Sequence, residues 1–285
     1  MAYNAKTDWK YDDNITENDV NRWEQGIADA HEKAEEIEED IDNLQQEFTA
    51  HKADFSSYQF GDRPYASLES KTYYLDQANG SDENDGESPE TAFQSWEKVY
   101  SKIPIFINHS HTVKIIGDYD GQIWLYNIHA HQSEFTLEGH EGNAENHTVT
   151  SSITPVPIRN ATHLTIRYLT LESPNDTNVI NMKSTTETNV NNCILKHIDV
   201  GYNSFPIVWI DYSLVRIEEC TFESNENGDS GIYASDPSIV SSHNNSGVAG
   251  RYGLRARRGS VIAKSGSQPT GTDTDEGTVA GGVIR

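Results

Sequence analysis

Cys193-Ile-Leu195-Lys-His-Ile198-Asp-Val200 and Val215-Arg-Ile217-Glu-Glu-Cys220-Thr-Phe222 place apolar residues at the same spacing, 22 residues apart. Both alternate apolar with polar positions, the period of a half-buried strand. Leu164-x-Ile166-x-x-Leu169-x-Leu171 has the same pattern 29 residues before the first, as if one turn carried a seven-residue insertion. Towards the C-terminus the period of 22 continues, with Leu195, Ile217, Ile239 and Val261 in one column and Ile210, Ile232 and Leu254 in another. Gly231-Ile-Tyr-Ala and Gly253-Leu-Arg-Ala align at the same offset. A short repeat of strands and polar turns cannot bury its apolar residues alone, and stacking the repeats supplies the missing surface. Leucine-rich repeats have a similar length, but their leucine pattern is absent. The expectation is a mainly β chain built as a parallel β-helix.

The same register predicts surface pairs. Arg167, Lys196 and Glu218 fall in one outward column, Asp229 lies one coil before Arg251, and Asp236 one coil before Arg258. Asn160, Asn189 and Asp211 fall in a turn column, where such side chains support the backbone. Residues 105–158 are less regular. Val113-x-Ile115, Ile123-x-Leu125-x-x-Ile128 and Phe135-x-Leu137 read as early coils with longer excursions, so the β-helix is expected over 105–285.

Upstream of the coils the pattern changes. Val20, Ile27, Ala34, Ile41, Phe48 and Phe55 recur every seven residues. Trp23, Ala30, Ile37, Leu44, His51 and Tyr58 do the same, offset by three. A straight helix drifts away from a strict 3.5 period, so a supercoil of several chains is expected over 16–58. Ile37 and Ile41 at the two core positions favour three strands, a homotrimer. Trimerisation then rests on Val20, Trp23, Ile27, Ile37, Ile41, Leu44, Phe48 and Phe55. Thr16 is the expected N-cap, with Glu17 and Asp19 in the first turn. A single long amphipathic helix packed on the chain's own body is the alternative.

Between the two patterns, 59–104 reads as a linker and cap. Gly61, Asp62 and Pro64 end the helix. The acidic run from Asp76 to Gly86 has glycine and acid spacing unlike a calcium-binding EF-hand, and is read as a turn. Ser88-Pro89 reads as N-cap and first helical position. Phe93, Trp96, Val99, Tyr100 and Ile103 mark a short amphipathic helix that can cover the open end of a stack of strands.

Composition narrows the function. The formal net charge of −24 disfavours a phosphate backbone as partner, so no nucleic acid is expected. No apolar run is long enough to span a membrane, and Met1–Lys10 has no signal-peptide core, which predicts synthesis in a cytoplasm. Cys193 and Cys220 sit in apolar strand text and are expected as inward thiols.

Two segments carry a resemblance. Trp9-Lys-Tyr-Asp-Asp-Asn and Asn21-Arg-Trp-Glu-Gln-Gly-Ile-Ala-Asp-Ala resemble the start of tail-fibre and baseplate proteins from phages of Gram-positive bacteria. Tyr74-Leu-Asp-Gln-Ala-Asn-Gly-Ser-Asp through Thr91-Ala-Phe resembles the entry to the pectin-lyase-like β-helices of tail spikes. The resemblance implies a right-handed β-helix, a homotrimer, and a virion location in a tail or baseplate appendage. It also implies attachment to other tail or baseplate proteins through residues 1–15, and recognition of host cell-wall carbohydrate. The chain departs from larger spikes in ending at Gly282-Val-Ile-Arg285, still in strand-like text, without a recognisable receptor-binding tip.

An adhesive structural protein is the first reading, and a polysaccharide depolymerase on the same scaffold the alternative. A depolymerase needs carboxylates on one face; the candidates are Asp211, Glu218 and Asp236, with Glu219, Glu223 and Asp229 beside them. Each of Asp211, Glu218, Asp229 and Asp236 also has a turn or ion-pair explanation. Trp124, Tyr126, Trp209, Tyr212 and Tyr233 are candidates for contact with sugar or with a neighbouring subunit. The pairs His109/His111 and His129/His131 are candidate metal ligands, with solvated histidines the simpler reading. The cluster Arg251, Arg255, Arg257 and Arg258 could hold an anionic polymer or neutralise the acidic coil before it. No cofactor is expected.

Overall fold

The computed structural model describes residues 14–57, 59–60, 63–175, 177–198, 205–224 and 228–285. Most of the proposed attachment peptide, and Asp199 and Val200 of the repeat, lie outside the described residues. The chain forms two units, one ending at Ser57 and the other starting at Tyr58.

The first unit is the helix α1, Glu17–Ser57. Its start is built as the sequence predicts. The Thr16 hydroxyl accepts from the Asp19 amide (3.3 Å), while Asp19 Oδ2 accepts from the Thr16 amide (3.1 Å) and hydroxyl (2.6 Å). This reciprocal cap satisfies amides that a helix start leaves unpaired. The heptad side chains stand open: Ile27 is 59% exposed, Leu44 64% and Phe48 70%.

The second unit is a parallel β-solenoid of about seven coils. Each full coil contributes strands to three faces. The first face stacks 156–159, 180–183, Val208–Asp211, Ser230–Ser235, Tyr252–Arg257 and Thr274–Val279. The second stacks Lys71–Leu75, His111–Ile115, Phe135–Gly139, 164–167, 188–191, Leu214–Glu218, Ile239–His243, Val261–Ser265 and Val283–Ile284. The third stacks Tyr119–Asp120, Thr148–Thr150, Thr170–Ser173, Ile194–His197, Thr221–Glu223 and Ser246–Val248.

Like residues stack in the core. Leu125, Ile158, Met182, Ile210, Ala234 and Ala256 form one inward column. Val149, Leu171, Leu195 and Phe222 form another; all these side chains are buried. The end of the stack is closed by α2, Trp96–Lys102, whose Trp96 and Val99 are buried with Phe93 and Ile103. Its N-cap is Ser95, accepting from Lys98 N (3.2 Å). Ser88 instead caps a separate one-turn 3-10 helix at Pro89–Thr91. In the acidic loop, Asp76, Asp82 and Asp85 are engaged within the fold: Asp76 accepts from the Ala78 and Asn79 amides, Asp82 from Ser95, and Asp85 from Thr91.

The coil register corrects the sequence reading. Cys193 corresponds to Cys220, not Val215, because Leu195 pairs with Phe222, 27 residues on. Ile217 pairs with Val190 and Ser242 on another face. Coil length varies from 22 to 33 on the first face, since loops of different size join the strands. Strands on either side of a corner share one apolar pattern, so a shift by one strand looks like a repeat. The period of 22 holds late on the first two faces, where Ile232 pairs with Leu254 and Ile239 with Val261, and early on the third, where Val149 pairs with Leu171. Ile210 instead stacks on Ala234, and Ile239 is 57% exposed.

The charge columns shift with the register. Arg167 and Glu218 share an outward column through Asn191, whereas Lys196 sits on the third face and pairs with Glu223 (3.1 Å). Asp229 binds Arg255 (2.7 Å), and Arg251 binds Asp273 (2.8 Å). Asp236 does pair with Arg258 (3.3 Å).

Corners also run in columns. Asn127, Asn160, Ser184, Tyr212, Asp236, Arg258 and Ala280 all have φ between 44° and 51° or at 57° for Ser184, in the left-handed region. Their strand neighbours place them at one corner in successive coils. Asn189 lies on the second face, paired with Arg216, and Asp211 on the first face just before the Tyr212 corner.

Candidate functional site

The outward side of the first face collects the most chemistry-bearing groups. Because alternate residues of a strand point the same way and coils stack in register, Asn181, Trp209, Tyr233 and Arg255 form one row across four coils. Lys183, Asp211 and Ser235 form a second beside it. The Trp209 and Tyr233 rings meet edge to face at 5.4 Å, and Phe205 lies 6.4 Å from Trp209. The Arg255 guanidinium carbon is 4.9 Å from the Tyr252 ring centre and 5.5 Å from that of Tyr233, within cation–π range.

Polar contacts fix this row. Asp211 Oδ1 accepts from Trp209 Nε1 (2.8 Å) and from the Ser235 hydroxyl (2.7 Å). Asp229 accepts from Arg255 Nη1 with both oxygens, at 2.7 and 3.0 Å. Arg257 Nη1 reaches the Tyr233 hydroxyl at 3.4 Å, a contact that raises the guanidinium pKa. Arg255 Nε and Arg257 Nε are buried without an acceptor. The face therefore presents the half-buried Trp209 ring, backed by the buried Tyr233, and planar cations already held in place by their neighbours. Rigid aromatics flanked by hydrogen-bonding groups suit the apolar faces and hydroxyl rims of sugars.

The structure brings Trp209, Tyr233 and Asp211 together and separates the other candidates from them. Tyr212 is 55% exposed at the left-handed corner. Trp124 packs partly against the core, its carbonyl accepting from Trp96 Nε1 (3.1 Å), and the Tyr126 carbonyl accepts from the Tyr100 hydroxyl (2.7 Å). Both side chains are half-buried. Asp236 is engaged by Arg258. Glu218 stands on the second face at a polar groove of about 270 Å³, with Glu134, Arg167 and Arg216. There it lies 3.4 Å from Arg216.

His109 and His111 differ in burial, whereas His129 and His131 flank the buried Ala130, their amides donating to the Ile105 and Ile107 carbonyls. His111 is buried, its Nδ1 2.8 Å from the His109 carbonyl, and burial lowers its pKa; His109 and His131 are exposed. Among the described residues no three His, Cys, Asp or Glu side chains gather as a metal site. Sequence reasoning missed Phe205 and the Asp229–Arg255 pair, because both depend on the true coil lengths. Of the trimerisation candidates, Val20 to Phe48 stand exposed on α1; the side chains of His51, Phe55 and Tyr58 lie outside the described residues.

Comparison with known proteins adds a short link. Over 43 residues, 15% of this chain, it is 58% identical to the uncharacterized protein YqcC of Bacillus subtilis (strain 168). Over the same length it is 56% identical to the phage-like element PBSX protein XkdV of that strain. The matches span only 12% and 6% of those two proteins. No family model and no solved structure matches the chain. A relative from a phage element and a β-solenoid fold are together compatible with a phage tail protein in the broad sense.

Proposed function

We propose that this chain is the subunit of a homotrimeric phage tail or baseplate fibre or spike, and that its solenoid attaches to a host cell-surface glycan. The row Trp209–Tyr233–Arg255 carries the reading: the half-buried Trp209 ring, packed edge to face on the buried Tyr233, and the Arg255 guanidinium, pre-set by Asp211, Asp229 and Ser235, offer a ready surface for a chain of sugars. In this reading α1 forms the trimeric stalk and the residues before it dock on other tail or baseplate proteins of the virion. The test is co-sedimentation of the protein with purified host cell-wall polysaccharide. Wild type should sediment with it and Trp209→Ala should not; equal binding by both would remove the assignment of this face.

The groove at Glu218 favours a second reading, a depolymerase, because it sets two carboxylates, Glu134 and Glu218, and two guanidiniums around one hollow. Incubation should then shorten the polysaccharide, and Glu218→Gln should abolish the shortening. Unchanged chain lengths with wild type leave the binding reading alone.

A further inference from the structure

A second hollow, of about 610 Å³, lies at the capped end of the solenoid. That volume is in the range of small-molecule sites. Its wall includes Arg63, Tyr65, Tyr100, Phe106, Asn127 and His129. Tyr65 and Phe106 are 42% and 39% exposed, with ring centres 5.0 Å apart, and His129 lies 5.6 Å beyond Phe106. The rings form a shelf open to solvent.

At the wall of this hollow sits Arg63, only 8% exposed. Its Nε donates to the Ile103 carbonyl (2.9 Å) and Nη2 to the Pro104 carbonyl (3.0 Å). Its Nη1 donates to the Tyr100 hydroxyl (2.7 Å) and to the carbonyls of Tyr126 (3.0 Å) and Asn127 (3.3 Å). The guanidinium carbon is 4.2 Å from the Tyr100 ring centre. Every acceptor is neutral. Among the described residues no carboxylate bonds to this cation, although the chain has 45 acidic and 21 basic residues.

Tying the linker to the end of α2 explains the carbonyl contacts. It does not explain a buried charge with no counter-ion among the described residues, which is costly in a low-dielectric surrounding. A guanidinium has five N–H groups, and among the described residues one on Nη2 has no protein acceptor. Burial lowers the pKa of Arg63, and burial together with Arg63 lowers that of His129.

We propose that this hollow binds an acidic saccharide, its carboxylate or phosphate held by Arg63 and its sugar ring lying on Tyr65 and Phe106. The saccharide class rests on the glycan-attachment reading above; the demand for an anion rests on Arg63 alone. Charge-assisted hydrogen bonds are about twice as strong as neutral ones, so the anionic group should dominate selectivity.

Calorimetry on the full chain tests this with glucuronate, glucose 6-phosphate, glucose and inorganic phosphate. Both acidic sugars should bind about tenfold more tightly than glucose, and glucose 6-phosphate more tightly than phosphate. Equal binding of glucose and glucuronate would overturn the anion assignment. Phosphate as tight as glucose 6-phosphate would overturn the aromatic shelf, and no binding by any probe would overturn the site. Arg63 substitutions risk the cap itself, so Phe106→Ala carries the mutational arm: it should weaken both acidic sugars while leaving the melting temperature near wild type. The His129 resonance gives an independent readout, since its pKa should rise when the anion binds. Trp209→Ala should leave all these values unchanged, so failure of the Trp209 face and failure of this hollow are separable.

Discussion

Asn245 is fully buried, and its amide replaces backbone pairing where the chain turns. Its Nδ2 donates to the Ile217 carbonyl and the Ser242 hydroxyl, both at 2.9 Å, and its Oδ1 accepts from Cys220 N at 2.9 Å. Asn245→Ala leaves buried groups unmatched and should lower the unfolding free energy by about 2 kcal/mol in urea titration. Ser184 shows the opposite opportunity. It is exposed, with φ at 57°, a conformation that asparagine tolerates better than serine. Ser184→Asn should raise stability by about 0.5 kcal/mol, and an unchanged denaturation midpoint would contradict that strain argument. His197 adds a pH dependence, because burial lowers its pKa from 6.5 to about 4. Between those values the unfolded chain binds a proton that the folded chain refuses, so stability falls as pH drops through this window. The loss should reach about 3 kcal/mol below the folded pKa. His197→Asn should flatten that part of the profile, as read by thermal melts from pH 7 to pH 4.

The helix α1 carries an apolar stripe whose Ile27, Leu44 and Phe48 stand exposed among the described residues. Ile37 and Ile41 are 58% and 47% exposed. The trimer reading predicts a threefold mass by light scattering, and Ile37→Asp with Ile41→Asp should reduce it to that of one chain. A wild-type monomer would refute the stalk; a trimeric double variant would move the assembly to the solenoid. The strands carry a different lesson. Strand existence is plain from alternation, as at Val215–Phe222, but strand partners are not, since any two segments with the same alternation look alike. The left-handed corner is similarly hidden: Asn127 and Asn160 advertise it, whereas Tyr212, Arg258 and Ala280 do not.

Taken whole, the solenoid stacks columns inward for stability and rows outward for contact. The net charge of −24 makes a buried cation without a bonded carboxylate conspicuous, which among the described residues singles out Arg63. On the binding reading, Trp209→Ala should reduce adsorption to host cells at least about tenfold while the melting temperature stays near wild type, because hot-spot aromatics at an outer face contribute to binding more than to folding. Loss of folding in that variant would instead make Trp209 a structural residue.

Local order was legible without coordinates. The heptads of α1, its cap at Thr16, the inward Cys193 and Cys220, and the division of the rest into short parallel strands all follow from periodicity and side-chain chemistry, which act over a few residues. The partner of each strand, the Asp229–Arg255 pair, the row through Trp209 and the hollow around Arg63 do not. They depend on how many residues each loop inserts between coils, here from 22 to 33 per turn on the first face, and loop length leaves no mark on the alternation of the strands it joins. Folding sets that register by matching buried columns from coil to coil, and the outward residues take whatever neighbours the inward match dictates.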